Sequence, residues 1–423
     1  MIDRGSLVRA LLARRVADWV LTERQQELAV VDERAALRRH ETRTQWTLVV
    51  HDDSPTGRGS ARVTIDALAG RPRDVVDQAI ALAKAAIGPA WQSAPLAAPA
   101  KVELADPDLA HADLAAAGSK LVAAVRAPRG ATVASYVIVM REQVAAQSRG
   151  GLHASWTATS LRAGALVAAG ARSLEVVREA RRRGDLALDD AVTEAVADLH
   201  ALAGAGVPIA GPCALVLTGD ALLHGGGFGV WSVFATQADA VVERQGLTRY
   251  RVGAPVAPGA EGLDEPLAIA SDGALDLRTG SAPMGDGGDA VRRFALVEGG
   301  RAAGLALSPR EAAFRHADPN GGVRNLVVAP GTWRWSSAAD AARVVEVRRL
   351  SSLAIDAFTG DASLEIALGI DHVHGEARPF TGGTVRLDLI GALARARRSQ
   401  DVLRRGAYEG PVAVWIEDAE LIA

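Results

Sequence analysis

The chain has 423 residues, 49% hydrophobic and 23% charged, and its 47 Lys and Arg against 50 Asp and Glu leave a formal charge of −3. Length and apolar content suffice for a large core split over two or three domains, while so even a charge balance lacks the basic footprint of a phosphate-backbone binder, so no nucleic acid partner is expected. A single cysteine, Cys213, excludes an intrachain disulfide and a multi-thiolate metal site. No uncharged apolar run reaches the roughly 18 residues of a membrane span, so no membrane association is expected and the cytoplasm is the expected location.

Residues 1–23 carry Leu7, Leu11, Leu12, Val16, Trp19 and Val20 at helical spacing, with Arg9, Arg14 and Arg15 breaking the apolar stretch. This predicts an amphipathic helix of the fold rather than a signal peptide. Strands are expected at 28–31 and 46–50, joined by a very polar segment, and at 61–65 after a turn cluster over 52–60. Residues 73–87 repeat apolar positions at three and four and predict a helix, and the Ala- and Pro-rich stretch 89–107 reads as a connector. A strand is expected at 132–140, a strand pair over 143–156 turning at 148–151, and a helix over 186–204 capped by Asp189 or Asp190 and stopped by Gly204.

The expected domain boundary lies just beyond, at 206–211. From Pro212 onward short Val, Leu and Ile runs alternate with Gly and Pro clusters, as in an all-β body, and helices are expected only near 220–240, 337–345 and 386–405. The fold class predicted is α+β: an N-terminal α/β domain with long helices over 1–205, joined to a mostly β C-terminal domain over 206–423.

Residues 213–229 (CALVLTGDALLHGGGFG) read as a short apolar strand, a turn at Thr218, Gly219 and Asp220, and a helix start carrying His224. Downstream come 273–280 (GALDLRTG), 294–304 (FALVEGGRAAG), 321–326 (GGVRNL), 356–363 (DAFTGDAS) and 406–416 (GAYEGPVAVWI). These segments resemble, in order, blocks of the TldD/PmbA metallopeptidase family, and 57–61, 73–87 and 148–150 match more loosely, so the resemblance covers nearly the whole chain. In TldD-type members a strand, turn and helix bring in the zinc motif His-Glu-x-x-x-His. Laid on His224, that motif meets Gly225 at the general-base position and Gly229 at the second histidine, and glycine neither takes a proton nor binds zinc. The third ligand of active relatives is a late cysteine, yet 391–423 contains none, and Cys213 does not match that position.

The departures resemble the PmbA (TldE) branch, whose members pair with an active TldD subunit. The resemblance therefore implies a non-catalytic subunit of a heterodimeric zinc peptidase acting on unfolded or modified peptides, with no cofactor in this chain and zinc in a TldD-like partner. His224, Gly226, Phe228, Arg324 and Asn325 are the candidates for a peptide channel or an interface. In a helix each of Gly225, Gly226 and Gly227 costs about 1 kcal/mol relative to alanine, a looseness ill suited to a ligand scaffold. The apolar segment 225–234 (GGGFGVWSVF) is expected to leave a surface for a partner to cover.

Two other readings stay open: an independent metallopeptidase using His224 with His372 and His374, and a homodimeric peptide-binding scaffold. His372, His374, Asp371 and Glu376 form the densest group of potential ligands, though an exposed turn accounts for them more simply. His40 with Glu41, and His51 with Asp52 and Asp53, read as solvated strand ends. Residues 57–59 and 285–288 lack the following helix of a phosphate loop, and no Gly-x-Ser-x-Gly elbow occurs. Trp333 and Trp335 alternate on one strand face, as core or interface residues do.

Overall fold

In the computed structural model the described residues are 3–66, 70–93, 98–285, 287–334, 343–374 and 376–423. The N-terminal half is built on one seven-stranded sheet: β1 (Asp18–Val31), β2 (Leu37–Ser54), β3 (Gly57–Asp66), β4 (Ile87–Gly88), β5 (Thr132–Ser148), β6 (His153–Ala169) and β7 (Arg172–Ala180). Their order is β4-β3-β2-β1-β5-β6-β7, and every neighbouring pair is antiparallel.

The strands are much longer than apolar runs alone suggest. Residues 28–31 and 46–50 are only the buried ends of a long hairpin whose polar middle is itself strand, held by cross-strand pairs such as His40 Nε2 with Glu27 Oε1 at 3.1 Å. The cluster 52–60 likewise continues both arms and turns only at Pro55 and Thr56. β5 runs through both segments read as separate strands, with the turn before β6 where it is expected.

The opening helix stops at Ala13, short of the expected end. Arg15 adopts a left-handed φ of 54°, and the chain turns into β1, where Trp19, Val20 and Leu21 are buried by strand rather than helix geometry. Alternation along β1 sends Trp19, Leu21, Ala29 and Val31 to one face, where all four longer helices pack. Helices Arg4–Ala13 and Pro72–Ala85 cover the β1–β3 end; Leu114–Ala124 and Leu188–Ala203 cover the β5–β7 end. The last of these is the predicted 186–204 helix, with Asp189 and Asp190 in its first turn and Gly204 as C-cap, although Ala187 occupies the N-cap.

Beyond Gly211 the chain forms two more sheets. One has the order β11-β10-β9-β12-β19-β18, made of Arg301–Ala302, Phe294–Glu298, β9 (Ile269–Asp272), β12 (Asn325–Val328), β19 (Tyr408–Pro411) and β18 (Val402–Arg405). The other contains β8 (Gly211–Thr218), β13 (Arg343–Ile355), β14 (Asp361–Val373), β15 (Glu376–Phe380), β16 (Thr384–Asp388) and β20 (Ala413–Ile422), with Arg397–Arg398 pairing to β20. Because β13 pairs with both β8 and β14, the run β13-β8-β20-β16-β14 closes on itself as a five-stranded ring. A mixed α+β chain with a mostly β C-terminal half results.

The three helices expected there are much reduced. The 220–240 stretch is broken into Gly219–Leu222, Ser232–Gln237 and Ala240–Arg244; 343–345 opens β13, and 335–342 lies outside the described residues, as does Trp335. Within 386–405 only Leu389–Arg395 is helical. Trp333 is buried edge-on to Trp415, ring centroids 5.6 Å apart.

Candidate functional site

The short helix that follows β8, Gly219–Leu222, and the loop after it border a cavity of about 630 Å³. His224 lines it, but not from a helix. The helix ends at Leu222, and Gly225, Gly226, Gly227 and Gly229 follow with φ of 78°, 79°, 58° and 54°, all left-handed. The helical cost assigned to these glycines therefore does not arise: they build a loop that L residues would strain. Gly225 to Gly227 are exposed, with open space where a Cβ would stand, whereas a Cβ on Gly229 would lie 2.1 Å from the Leu222 carbonyl oxygen. Val230, Trp231, Val233 and Phe234 are fully buried and Phe228 packs half-buried on the same core, so the chain itself covers the apolar part of 225–234 and no large patch is left there.

The charges of this cavity gather on Asp220, a half-buried carboxylate which the sequence offered only as a turn residue. Its carboxylate receives Arg349 and Arg405, and Arg178 Nη2 stands 3.2 Å away. Burial alone would raise its pKa, but Arg349, Arg178 and Arg405 outweigh it and hold the carboxyl below the usual range. Arg349 Nε also donates to Asp198 at 2.7 Å, and Asp198 takes Arg348 at 3.1 Å. One ionic network thus joins helix Leu188–Ala203, β7, the short helix Gly219–Leu222, β13 and β18. These partners are separated by up to 185 residues, and no local motif marks them.

The residues around His224 do not fit zinc. Asp220, the half-buried carboxylate of the same cavity, is taken up by three guanidiniums, and among the described residues no three of His, Cys, Asp and Glu converge as ligands. His372 Nε2 lies 3.1 Å from Glu346 Oε2 at the end of β14, His374 turns the hairpin at φ 50°, and neither groups with His224. Cys213 is buried in β8, and burial pushes its thiol up to about 11. His51 is no solvated strand end: its Nδ1 is 2.8 Å from Ser60 Oγ and its ring meets Trp91 edge-on at 5.0 Å.

Arg324 and Asn325 belong to different surroundings. Asn325 is fully buried; its amide nitrogen donates to the Asp272 carbonyl at 2.6 Å and to Ser281 Oγ at 2.8 Å, and its oxygen accepts from Gly280 N at 2.9 Å. Arg324 lines a second cavity, on the sheet face opposite the helices, and the strap 278–281 separates it from the first, Thr279 bordering both. Arg181, just past β7, pins that strap by donating to the carbonyls of Arg278, Thr279 and Ser281 at 2.8, 3.1 and 3.0 Å.

Residues 227–422 match the PmbA/TldA metallopeptidase C-terminal domain. Similar folds occur in a Bacteroides thetaiotaomicron protein described as a modulator of DNA gyrase (TM-score 0.78, 14% identity, covering 100% of this chain and 99% of that one) and a Thermotoga maritima protein described likewise (0.78, 16%, 99% of each). TldE from Thermococcus kodakarensis is similar at TM-score 0.75 and 13% identity, over 99% of this chain and 100% of its own. Comparison with curated protein sequences gives no match.

Proposed function

This chain carries the PmbA/TldA metallopeptidase C-terminal domain over residues 227–422, and on that footing we propose that it is the non-catalytic, TldE-like subunit of a two-chain peptidase whose zinc sits in a TldD-like partner. One observation carries the reading. Where a hydrolytic centre needs a carboxylate free to take a proton from water, this chain has Gly225 at the base position, and the half-buried carboxylate beside it, Asp220, is saturated by Arg178, Arg349 and Arg405. A carboxyl held down by three guanidiniums is a poor proton acceptor. No step of hydrolysis is assigned to this chain; its part is to shape the partner's site and wall a channel for an unfolded peptide. Exposed left-handed glycines at Gly225 to Gly227 support that part, since they let another backbone come close.

The test is reconstitution. The full chain alone is expected to leave an unstructured peptide intact, and addition of a cognate subunit bearing an intact His-Glu-x-x-x-His motif to give hydrolysis and co-elution on size exclusion. Cleavage by the isolated chain at the rate of the mixture would overturn the proposal. So would a chain that stays monomeric beside every such subunit of its host.

A further inference from the structure

We propose that the cavity bordered by Arg24, Arg181 and Arg324 binds the terminal carboxylate of a peptide. The ligand class is taken from the peptide reading above, but the charge argument stands on the cavity alone. It measures about 350 Å³, at the small end of the range of about 300–1,000 Å³ for ligand pockets, so it suits one terminal residue better than a length of chain. Strand alternation puts Thr22 and Arg24 of β1 and Glu142 of β5 on the sheet face away from the helices, and the strap 278–281 with Arg324 closes the other side.

The described charged groups lining it are three guanidiniums and one carboxylate. Glu142 accepts from the Gln26 amide and lies 3.9 Å from Arg24 Nε, beyond hydrogen-bond reach. Arg24 Nε is buried without a hydrogen-bond partner among the described residues. Arg181 spends its donors on main-chain carbonyls, the three of the strap and Thr159 at 3.4 Å, so its hydrogen bonds go to neutral acceptors and none to a carboxylate. Arg324 uses Nε on the Gly321 carbonyl at 2.9 Å. Among the described residues neither Arg181 nor Arg324 forms an ion pair, and burial pulls the Arg181 pKa down with Glu142 opposing. A half-buried cation without a counterion is unfavourable, and an entering anion would relieve it.

The remaining lining decides which anion. Leu104, Val144 and Met284 are buried, and Trp156 packs half-buried on the cluster of Ala146, Leu152 and Met284, giving an apolar wall beside the charged one. A carboxylate attached to an apolar side chain matches both walls; a free inorganic anion matches one. Main-chain bonds hold the frame in place: Leu277 N donates to the Glu103 carbonyl at 2.7 Å, Ala100 N to the Pro283 carbonyl at 2.7 Å, and Thr159 N to the Leu104 carbonyl at 3.0 Å.

The experiment titrates the full chain, without any partner, with N-acetyl-alanyl-leucine, with its C-terminal amide and with inorganic phosphate, by calorimetry. The acid is expected to bind, and the amide to bind at least roughly tenfold more weakly, the scale of losing a charge-assisted hydrogen bond. Arg24→Gln and Arg324→Gln are each expected to weaken the acid roughly tenfold and leave the amide unchanged, with circular dichroism confirming that both variants fold. No binding of the acid, equal binding of acid and amide, or phosphate bound as tightly as the acid would each overturn the assignment. Neither a partner nor hydrolysis enters the measurement. A chain that binds the acid but never supports cleavage refutes the subunit reading alone, and one that supports cleavage without discriminating acid from amide refutes this one alone.

Discussion

Among single residues the glycines after His224 separate two kinds of constraint. Gly226 is left-handed but faces open space, so Gly226→Ala should cost only the backbone term, about 1–2 kcal/mol. Gly229 adds a steric term, because its Cβ would collide with the Leu222 carbonyl, and Gly229→Ala should cost about 3 kcal/mol or more. Urea unfolding of the two variants compares them directly, and equal midpoints would refute the distinction. A bulky Gly226→Trp is the variant to use against the partner: it should leave the chain folded, at about the cost of the alanine variant, and weaken co-elution or cleavage in the reconstituted mixture.

For elements, the decisive piece is the strap 278–281, which has no regular structure and is held by side chains from three directions: Arg181, Asn325 and the pair Arg278–Glu409 at 3.5 Å. Asn325→Ala would leave the Gly280 N–H and the Asp272 carbonyl without their partner, an expected loss of about 3 kcal/mol. Hydrogen exchange should report it as faster exchange at 279–282 specifically, and unchanged protection there would refute the role. Such elements mark where the sequence stops being legible. Helices Pro72–Ala85 and Leu188–Ala203 announce themselves because one apolar stripe and a stop signal are local facts. β1 and β2 do not, since their polar stretches are paired to neighbours rather than buried, and periodicity cannot register pairing. The same limit governs the site. His224 and its glycines can be picked out within one segment, whereas Asp220 with Arg178, Arg349 and Arg405, or Arg24 with Arg181 and Arg324, exist only once distant strands are side by side.

Across the whole molecule, two half-buried groups, His51 and Asp220, respond to acid in separate windows. Burial holds the His51 imidazole below its ordinary value of 6.5, with Asp18 opposing. The unfolded chain therefore takes up that proton first, so stability falls as pH drops from about 6.5 toward the lower folded value. Asp220 acts in the same sense at lower pH: its carboxyl is depressed in the fold, so its contribution is present above the unfolded value near 3.9 and is lost as pH falls through the folded one. Urea midpoints followed against pH should decline in two stages. His51→Asn should remove the upper stage only, and an unchanged upper stage in that variant would reassign it.

The closed ring of strands also dictates an order of events. β20, from Ala413 to Ile422, is inserted between β8 and β16, and its partner in β8 lies at the far end of the C-terminal half. Pairing over so long a loop carries a large closure entropy and forms late. The N-terminal sheet, whose hairpins join sequence neighbours, needs no such wait. During synthesis the first sheet can therefore assemble on the ribosome while the ring stands open, its β8 and β16 edges unpaired until the ten residues of β20 emerge. That interval is when the chain is most exposed to aggregation, and when a chaperone or an early-arriving partner would find it.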